Sequence, residues 1–568
     1  MFAVLLAAAL QWLDPATIQP GQKGVCITEW GGGERREIPV EVLGTLEAAG
    51  PDREAVLVRL LDDRMATSGV VAGMSGSPVY IDGKLLGAVA FGWAFAKAPL
   101  AGVTPFAAMR RLSPGGASAS APAPTLTQLA ALAASHLEPL ALLPQLLSRG
   151  SAEPELAALG GLPLPSGFAA EVLDRIGLRA VAAGSGAGDD GPPEAGEMVA
   201  VPLVWGDASL AAAGTVTARD GDTIYAFGHP LFALGHVHLP AARARVLAVQ
   251  DSYQNPFKIV SVGKMFGTLV TDRADGVLAQ VGEVPAGVPV TVAVQDATGA
   301  ATWHFRIAEE PLLVTPLVTF LTHACLTARG AAVGEASVRL ALTAHLADGR
   351  SASVEQAGRG LDILARVSAF AGAASGLLAN SPFPHPALAS LDIRLQREES
   401  AQGAMLIEAI PARTTLAPGD DVEVTVRLQP EHAAPLERRI TVTVPLDSPP
   451  GPLDLIVADG AAWSEYRLHA EGIAPADFAD ELRQFAMLES STTLVAALES
   501  RERGVALPGV SQPNLPPSWA ATLAVGLGNR GVTRLATAVV ASSRMTSDLP
   551  LEGAFRIPLM VQPRQETP

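Results

Sequence analysis

Residues 69–91 read GVVAGMSGSPVYIDGKLLGAVAF, and the architecture turns on them. Two apolar runs flank Asp82-Gly83. An Asp-Gly pair in that setting predicts a β-hairpin, because its turn needs positive φ at the central residues. Just upstream, Gly73-Met74-Ser75-Gly76-Ser77-Pro78 gathers small residues around a serine. Such a run permits a tight turn that exposes the Ser75 hydroxyl. It also leaves backbone N–H groups near Gly73 and Ser75 free to hold an oxyanion. Taken alone, the hexapeptide reads equally well as a Gly/Ser hairpin turn.

Outward from this point, residues 24–112 continue as strands and turns (VCITEW, EIPVEVLGTL, EAVLVRLL) and read as half of a β-barrel or sandwich. Residues 113–195 begin with the low-complexity run SPGGASASAPAP and continue with amphipathic helical spacing broken at Pro139 and Pro144, so they read as linker and helical insertion. A second strand-rich block fills 196–310. The two β blocks are expected to pack as halves of one domain, because closing barrels removes unpaired strand edges. Residues 311–389 form a mixed connecting region. Residues 390–470 carry strands at the spacing of a β-sandwich accessory domain, and 471–568 predict a helix followed by short strands.

Composition narrows the function. Apolar residues make up 49% of the 568 and charged residues only 17%, which argues for a folded chain. A net charge of −17 without a clustered basic run lacks the footprint of a nucleic-acid binder. No apolar run reaches the length of a membrane span. Cys26 and Cys325 form no CxxC or Cys/His cluster, so a zinc site is not indicated and a single long-range bridge stays open.

The second chemical signal is Gly228-His229-Pro230, directly after the strand TIYAF. A histidine there can serve as general base if a serine lies within reach. His236 and His238 follow closely, but no Asp, Glu or Cys joins the three at ligand spacing, and no metal or other cofactor is expected.

The two segments together carry a family resemblance. GVVAGMSGSPVYIDGKLLGAVAF resembles the serine-motif region of the SpoIVB-type serine peptidases, named for stage IV sporulation protein B, and GTVTARDGDTIYAFGHP (214–230) resembles the histidine segment of that family. The resemblance implies a mainly β chain with a chymotrypsin-like double β-barrel, Ser75 as nucleophile and His229 as general base. In that family the histidine half comes first, whereas here Ser75 precedes His229, so the halves stand in permuted order. The family's acid lies shortly before the serine, where this chain offers LLDDRMATSG; Asp62 is the choice, with Asp63, Asp222 and Asp272 as rivals.

The expected function is an exported serine endopeptidase acting on a protein or peptide substrate. The alternative is a catalytically inactive peptidase-like scaffold of the cell envelope. Export rests on Met1–Leu10, an apolar stretch of the length of a signal-peptide core, which makes 1–23 a signal segment and the location periplasmic or secreted.

Overall fold

The computed structural model describes residues 11–47, 54–93, 96–119, 123–143, 154–184, 191–252, 255–330, 334–471, 474–501, 504–507, 510–512, 518–519, 522, 533–535 and 537–563. The first ten residues of the expected signal segment lie outside this set. The chain is mainly β. It divides into two compact units, the first holding 1–121, 144–289 and 304–317, the second 122–143, 290–303 and 318–568.

The first unit opens with a closed six-stranded barrel in the order β1 (Lys23–Gly31), β2 (Glu34–Glu47), β3 (Glu54–Leu60), β6 (Leu100–Pro105), β5 (Lys84–Phe91) and β4 (Pro78–Ile81). Alternation along these strands points Cys26, Ile38, Val40, Val42, Val56, Val58, Val79 and Val103 into one core. Asp82 and Gly83 join β4 to β5 with φ of 49° and 73°, the backbone that their hairpin requires. Short helices α1 (Asp63–Ser68) and α2 (Phe106–Met109) lie before the serine motif and after β6. Residues 11–13 also belong to this barrel. Leu13 N–H donates to Leu85 O at 2.9 Å, and Leu85 N–H donates to Gln11 O at 3.0 Å.

A second ring follows. β9 (Met198–Gly206), β12 (Gly235–Gln250), β13 (Phe257–Arg273), β14 (Gly276–Val281), β11 (Thr223–Ala226) and β10 (Ser209–Asp220) pair in that order, and β10 pairs back onto β9. Six strands therefore close again, and the double barrel anticipated from the sequence is present. The intervening segment is less helical than expected. Helix α3 (Leu126–Ala133) clusters with the second unit, while β7 (Glu155–Gly160), α4 (Phe168–Arg175) and β8 (Leu178–Ala182) join the first, β7 lying antiparallel on β10. Alternating strand character in ELAALG is masked by its small residues, which suit a helix equally well.

In the second unit, residues 290–295 of β15 (Val288–Asp296) lie parallel to β19 (Leu388–Glu398), which pairs with β17 (Ala336–Leu346) and through it with β18 (Ser351–Gly360). Residues 305–307 at the end of β16 (Gly299–Ile307) belong to the first unit and pair there with β9. Helices α5 (Pro311–Thr327) and α6 (Ile363–Ala379) complete the region read as mixed. The accessory sandwich reaches well past residue 470. One sheet holds β20 (Ala404–Pro411), β22 (Asp421–Pro430), β23 (Leu436–Thr443) and β30 (Leu551–Glu552). The other holds β21 (Thr415–Leu416), β24 (Gly451–Asp459), β25 (Thr493–Ser500), β29 (Ala538–Thr546) and β31 (Ala554–Val561). Both sheets feed a single core that includes Val424, Val426, Leu455, Leu498 and Leu559. Helices α7 (Gly460–Glu471) and α8 (Phe478–Ala486) link β24 to β25, and a small sheet of β26 (Gly504–Leu507), β27 (Val510–Gln512) and β28 (Thr533–Leu535) precedes β29. Among the described residues no helix is long and apolar enough to cross a membrane. Cys26 and Cys325 are both buried and form no disulfide, which closes the bridge left open by the sequence.

Candidate active site

The serine motif forms a loop between α1 and β4, held from both barrels. Gly76 N–H donates to Val89 O at 2.7 Å within the first barrel, and Met74 N–H turns back to Val71 O at 3.0 Å. From the second barrel, Thr215 on β10 takes hold of two carbonyls: its N–H donates to Ser75 O at 2.7 Å and its hydroxyl to Gly73 O at 2.8 Å. Thr217 donates its hydroxyl to Gly76 O at 2.8 Å. The carbonyls of Gly73, Ser75 and Gly76 are thereby all turned toward β10. Among the described residues the N–H groups of Gly73 and Ser75 have no hydrogen-bond partner. Two such donors, one on the serine and one two residues before it, are what a tetrahedral oxyanion needs. Glycine is required at both flanks. Gly73 sits at φ 91°, and Gly76 at φ 91° so close to β10 that a Cβ would lie 1.8 Å from Thr215 O.

The histidine turn arrives at the same place. A Cβ on Gly76 would also lie 2.6 Å from Phe227 N, and one on Gly228 would meet Ala88 Cβ on β5 at 2.8 Å. Thr104 on β6 donates its hydroxyl to Gly228 O at 2.6 Å, so the first barrel grips the turn that the second one presents. Phe227 is fully buried at φ 65°, a backbone region that a bulky side chain occupies only when its surroundings enforce it. Its ring packs edge-on against His229 at 5.9 Å.

His229 is half-buried. Its Nδ1 lies 2.8 Å from Pro230 O, and since a carbonyl can only accept, Nδ1 carries the proton. Nε2 is then the basic nitrogen of the neutral ring. It faces Glu155 of β7, with Oε2 at 3.8 Å. Burial pushes the Glu155 carboxyl up, against the pull of His229. No hydrogen bond joins His229 to Ser75, and the Ser75 hydroxyl has no partner among the described residues.

The four carboxylates weighed from the sequence separate cleanly. Asp62 caps α1 by accepting Arg64 N–H at 2.9 Å and pairs with Arg36 at 2.8 Å, away from His229. Asp63 is exposed at the first position of α1, and Asp222 is an exposed turn residue. Asp272 on β13 is fully buried and accepts three N–H groups of the loop that follows His229: Leu231 at 2.7 Å, Phe232 at 2.7 Å and Leu234 at 3.3 Å. Burial pushes its carboxyl up while those donors and His229 pull it down. Glu310 stands nearby in the same field and is pushed up to about 7 by burial, against Leu312 N–H and with the help of Asp272. Sequence reading missed Glu155, Glu310 and Thr215. Glu155 had no local sign, because its strand was taken for part of an insertion.

Among the described residues no group of three or more His, Cys, Asp or Glu side chains could hold a metal ion. His236 instead places Nδ1 3.0 Å from Val270 O.

Comparison with known proteins adds one finding. No curated protein and no solved structure matches the chain. The family model described as SpoIVB peptidase S55 matches residues 11–107, which spans the first barrel from its N-terminal bridge to the end of β6 and contains Ser75 but not His229 or Asp272. That match agrees with the resemblance read from the serine motif, and over residues 11–107 the chain is similar to the SpoIVB-type serine peptidases.

Proposed function

We propose that the chain is an endopeptidase in which Ser75 attacks a peptide carbonyl, His229 Nε2 takes the hydroxyl proton and passes it to the leaving amine, and the N–H groups of Gly73 and Ser75 hold the oxyanion. Asp272 serves as the acid in place of Asp62, acting on the loop that orients the imidazole. The observation that carries this reading is the pair of unpartnered N–H groups on the serine loop, with the histidine turn crossing the same loop. For catalysis the imidazole must leave Glu155 and approach Ser75; catalytic hydrogen bonds are often long in unliganded enzymes and tighten with substrate. A fluorophosphonate probe tests the reading. Wild type is expected to label and Ser75→Ala to lose the label, whereas equal labelling of both refutes it.

The inactive-scaffold reading rests on the missing Ser75–His229 bond and on Glu155 facing Nε2. Absence of labelling across the pH range with a well-folded protein decides for it.

We further propose that the protein acts outside the cytoplasm, on the strength of the apolar Met1–Leu10. Gln11 and Leu13 hydrogen-bond Leu85 and Gly21 N–H donates to Val42 O, so the signal segment expected over 1–23 is narrowed to residues before Gln11, and processing is expected to spare residues from Gln11 onward. N-terminal sequencing checks this, and an intact Met1 on cytoplasmic protein overturns it.

A further inference from the structure

Beneath the serine loop lies a lysine that the mechanism above does not use. Lys258, on β13, is only 4% exposed, and its Nζ donates to Thr28 Oγ1 at 2.8 Å, with Thr215 Oγ1 and Met198 Sδ each at 3.5 Å. Every one of these contacts leads back to the serine motif. Thr215 is the residue that holds Gly73 O and Ser75 O. Thr28 Oγ1 also accepts the Ser77 hydroxyl at 2.8 Å, so the ammonium anchors the far end of the motif too. The main chain of the same segment adds a third attachment: Lys258 N–H donates to Ala72 O at 3.1 Å and Ala72 N–H to Pro256 O at 2.9 Å. The aliphatic stem fills the space under Gly73, where a Cβ would lie 3.1 Å from Lys258 Cδ.

We infer that Lys258 is a positioning residue for the oxyanion loop, fixing the directions of the Gly73 and Ser75 N–H groups through Thr28 and Thr215. The inference rests on the peptidase reading and deepens it. A buried cation at a loop that must bind a developing anion acts at short range in a dry setting, where a misplacement of the donors is costly.

The groups facing Lys258 are few. From β1 come Cys26, Thr28 and Glu29, from β9 Met198, from β10 Thr215, and from the serine loop the Gly73 backbone. Glu29 accepts Val246 N–H at 2.6 Å and Met198 N–H at 3.2 Å, and Glu197, paired with Arg243, acts on it in turn. Burial brings the Lys258 ammonium down to about 7, against the opposing pull of Glu29 and Cys26. The charged form has three N–H groups for its three acceptors, and the neutral amine has two. Deprotonation therefore loosens one tether of the loop.

The experiment is the fluorophosphonate labelling rate between pH 5.5 and 9 for wild type, Ser75→Ala, Lys258→Met, Thr215→Val and Thr215→Ser, each checked for an intact thermal transition. Ser75-dependent labelling of wild type establishes the site first; without it the peptidase reading fails, and this inference with it. Given that label, Lys258→Met is expected to react about 10- to 100-fold more slowly. It should also lose a limb of the wild-type profile that falls as pH rises through about 7. Thr215→Val should lose about 10-fold, and Thr215→Ser, which restores the hydroxyl, should recover most of it. A folded Lys258→Met that labels at the wild-type rate with an unchanged pH profile overturns the inference. Should Lys258→Met fail to fold, the Thr215 pair decides, and a wild-type rate in Thr215→Val overturns it.

Discussion

The serine-barrel unit and the accessory sandwich both bury carboxylates, and the Asp454–Glu499 cluster of the sandwich is neutralised by means opposite to those around Asp272. In the sandwich, Asp454 (2% exposed) takes Arg501 at 3.0 Å and Arg556 at 2.9 Å, and Glu499 takes Arg556 and the Tyr466 hydroxyl. Burial works against the Asp454 charge, but the two arginines outweigh it and hold its carboxyl below the usual range. In the first unit no arginine approaches Asp272, Glu310 or Glu29 among the contacts that shift them; burial drives all three up, and backbone N–H groups do the holding. Ion pairs fix a shape, while a carboxyl such as Glu310, pushed up to about 7, can exchange protons near neutral pH. The contrast is one of clusters and not of whole units, because Asp459 at the end of β24 is also buried, held by the N–H groups of Ala461, Ala462 and Gly553 and pushed up to about 6 by burial.

Four substitutions can break or sharpen this contrast. The largest effect is expected at Asp272. Asn in its place offers an amide to three N–H donors that want a carboxylate, so the loop carrying His229 should lose its set and the labelling rate should fall about 10²- to 10⁴-fold. Asp454→Asn should leave labelling untouched and lower stability by about 2–3 kcal/mol, below the full cost of a broken buried pair because both arginines keep about half their surface in water. Denaturant unfolding beside labelling separates the two cases, and loss of labelling in Asp454→Asn would erase the distinction.

The third prediction uses pH. Glu310 in the folded protein binds its proton up to about 7, whereas unfolded it releases it near 4.5. The folded state then holds more protons between those values, so its contribution to stability is complete below about 4.5 and is lost as pH rises through about 7. Glu310→Gln should flatten that decline in a series of thermal midpoints, and parallel curves for the two proteins would contradict the assignment. The smallest effect belongs to Glu155→Gln. Removing a part-exposed partner worth up to about 1 kcal/mol should free His229 and raise the labelling rate by up to about 5-fold, and a fall in rate would instead make Glu155 a helper of the base.

What could be read from the sequence was whatever local chemistry dictates. The Asp82-Gly83 turn and the small residues around Ser75 announce themselves because their backbone conformations admit few other residues. The acid did not. Asp62 was attractive for its closeness in sequence to Ser75, but the partners of Asp272 lie on a loop that reaches it only through the pairing of β12 with β13. Lys258 and Thr215 are hidden for the same reason, since each matters through strand register between barrels rather than through its neighbours in the chain. The sandwich was placed but cut short, because β24 pairs with β31 about a hundred residues on, a distance at which alternation carries no information.

The division of labour between the barrels also has a consequence in time. The first barrel is complete at β6, near residue 105, whereas the second supplies His229 and closes only with β14 at residue 281. Ribosomes add about 5–20 residues per second, so on the order of ten seconds or more separates the two events. On the proposed mechanism the emerging chain carries its nucleophile without its base during that interval, and it is expected to be proteolytically silent while its own unfolded segments are still within reach.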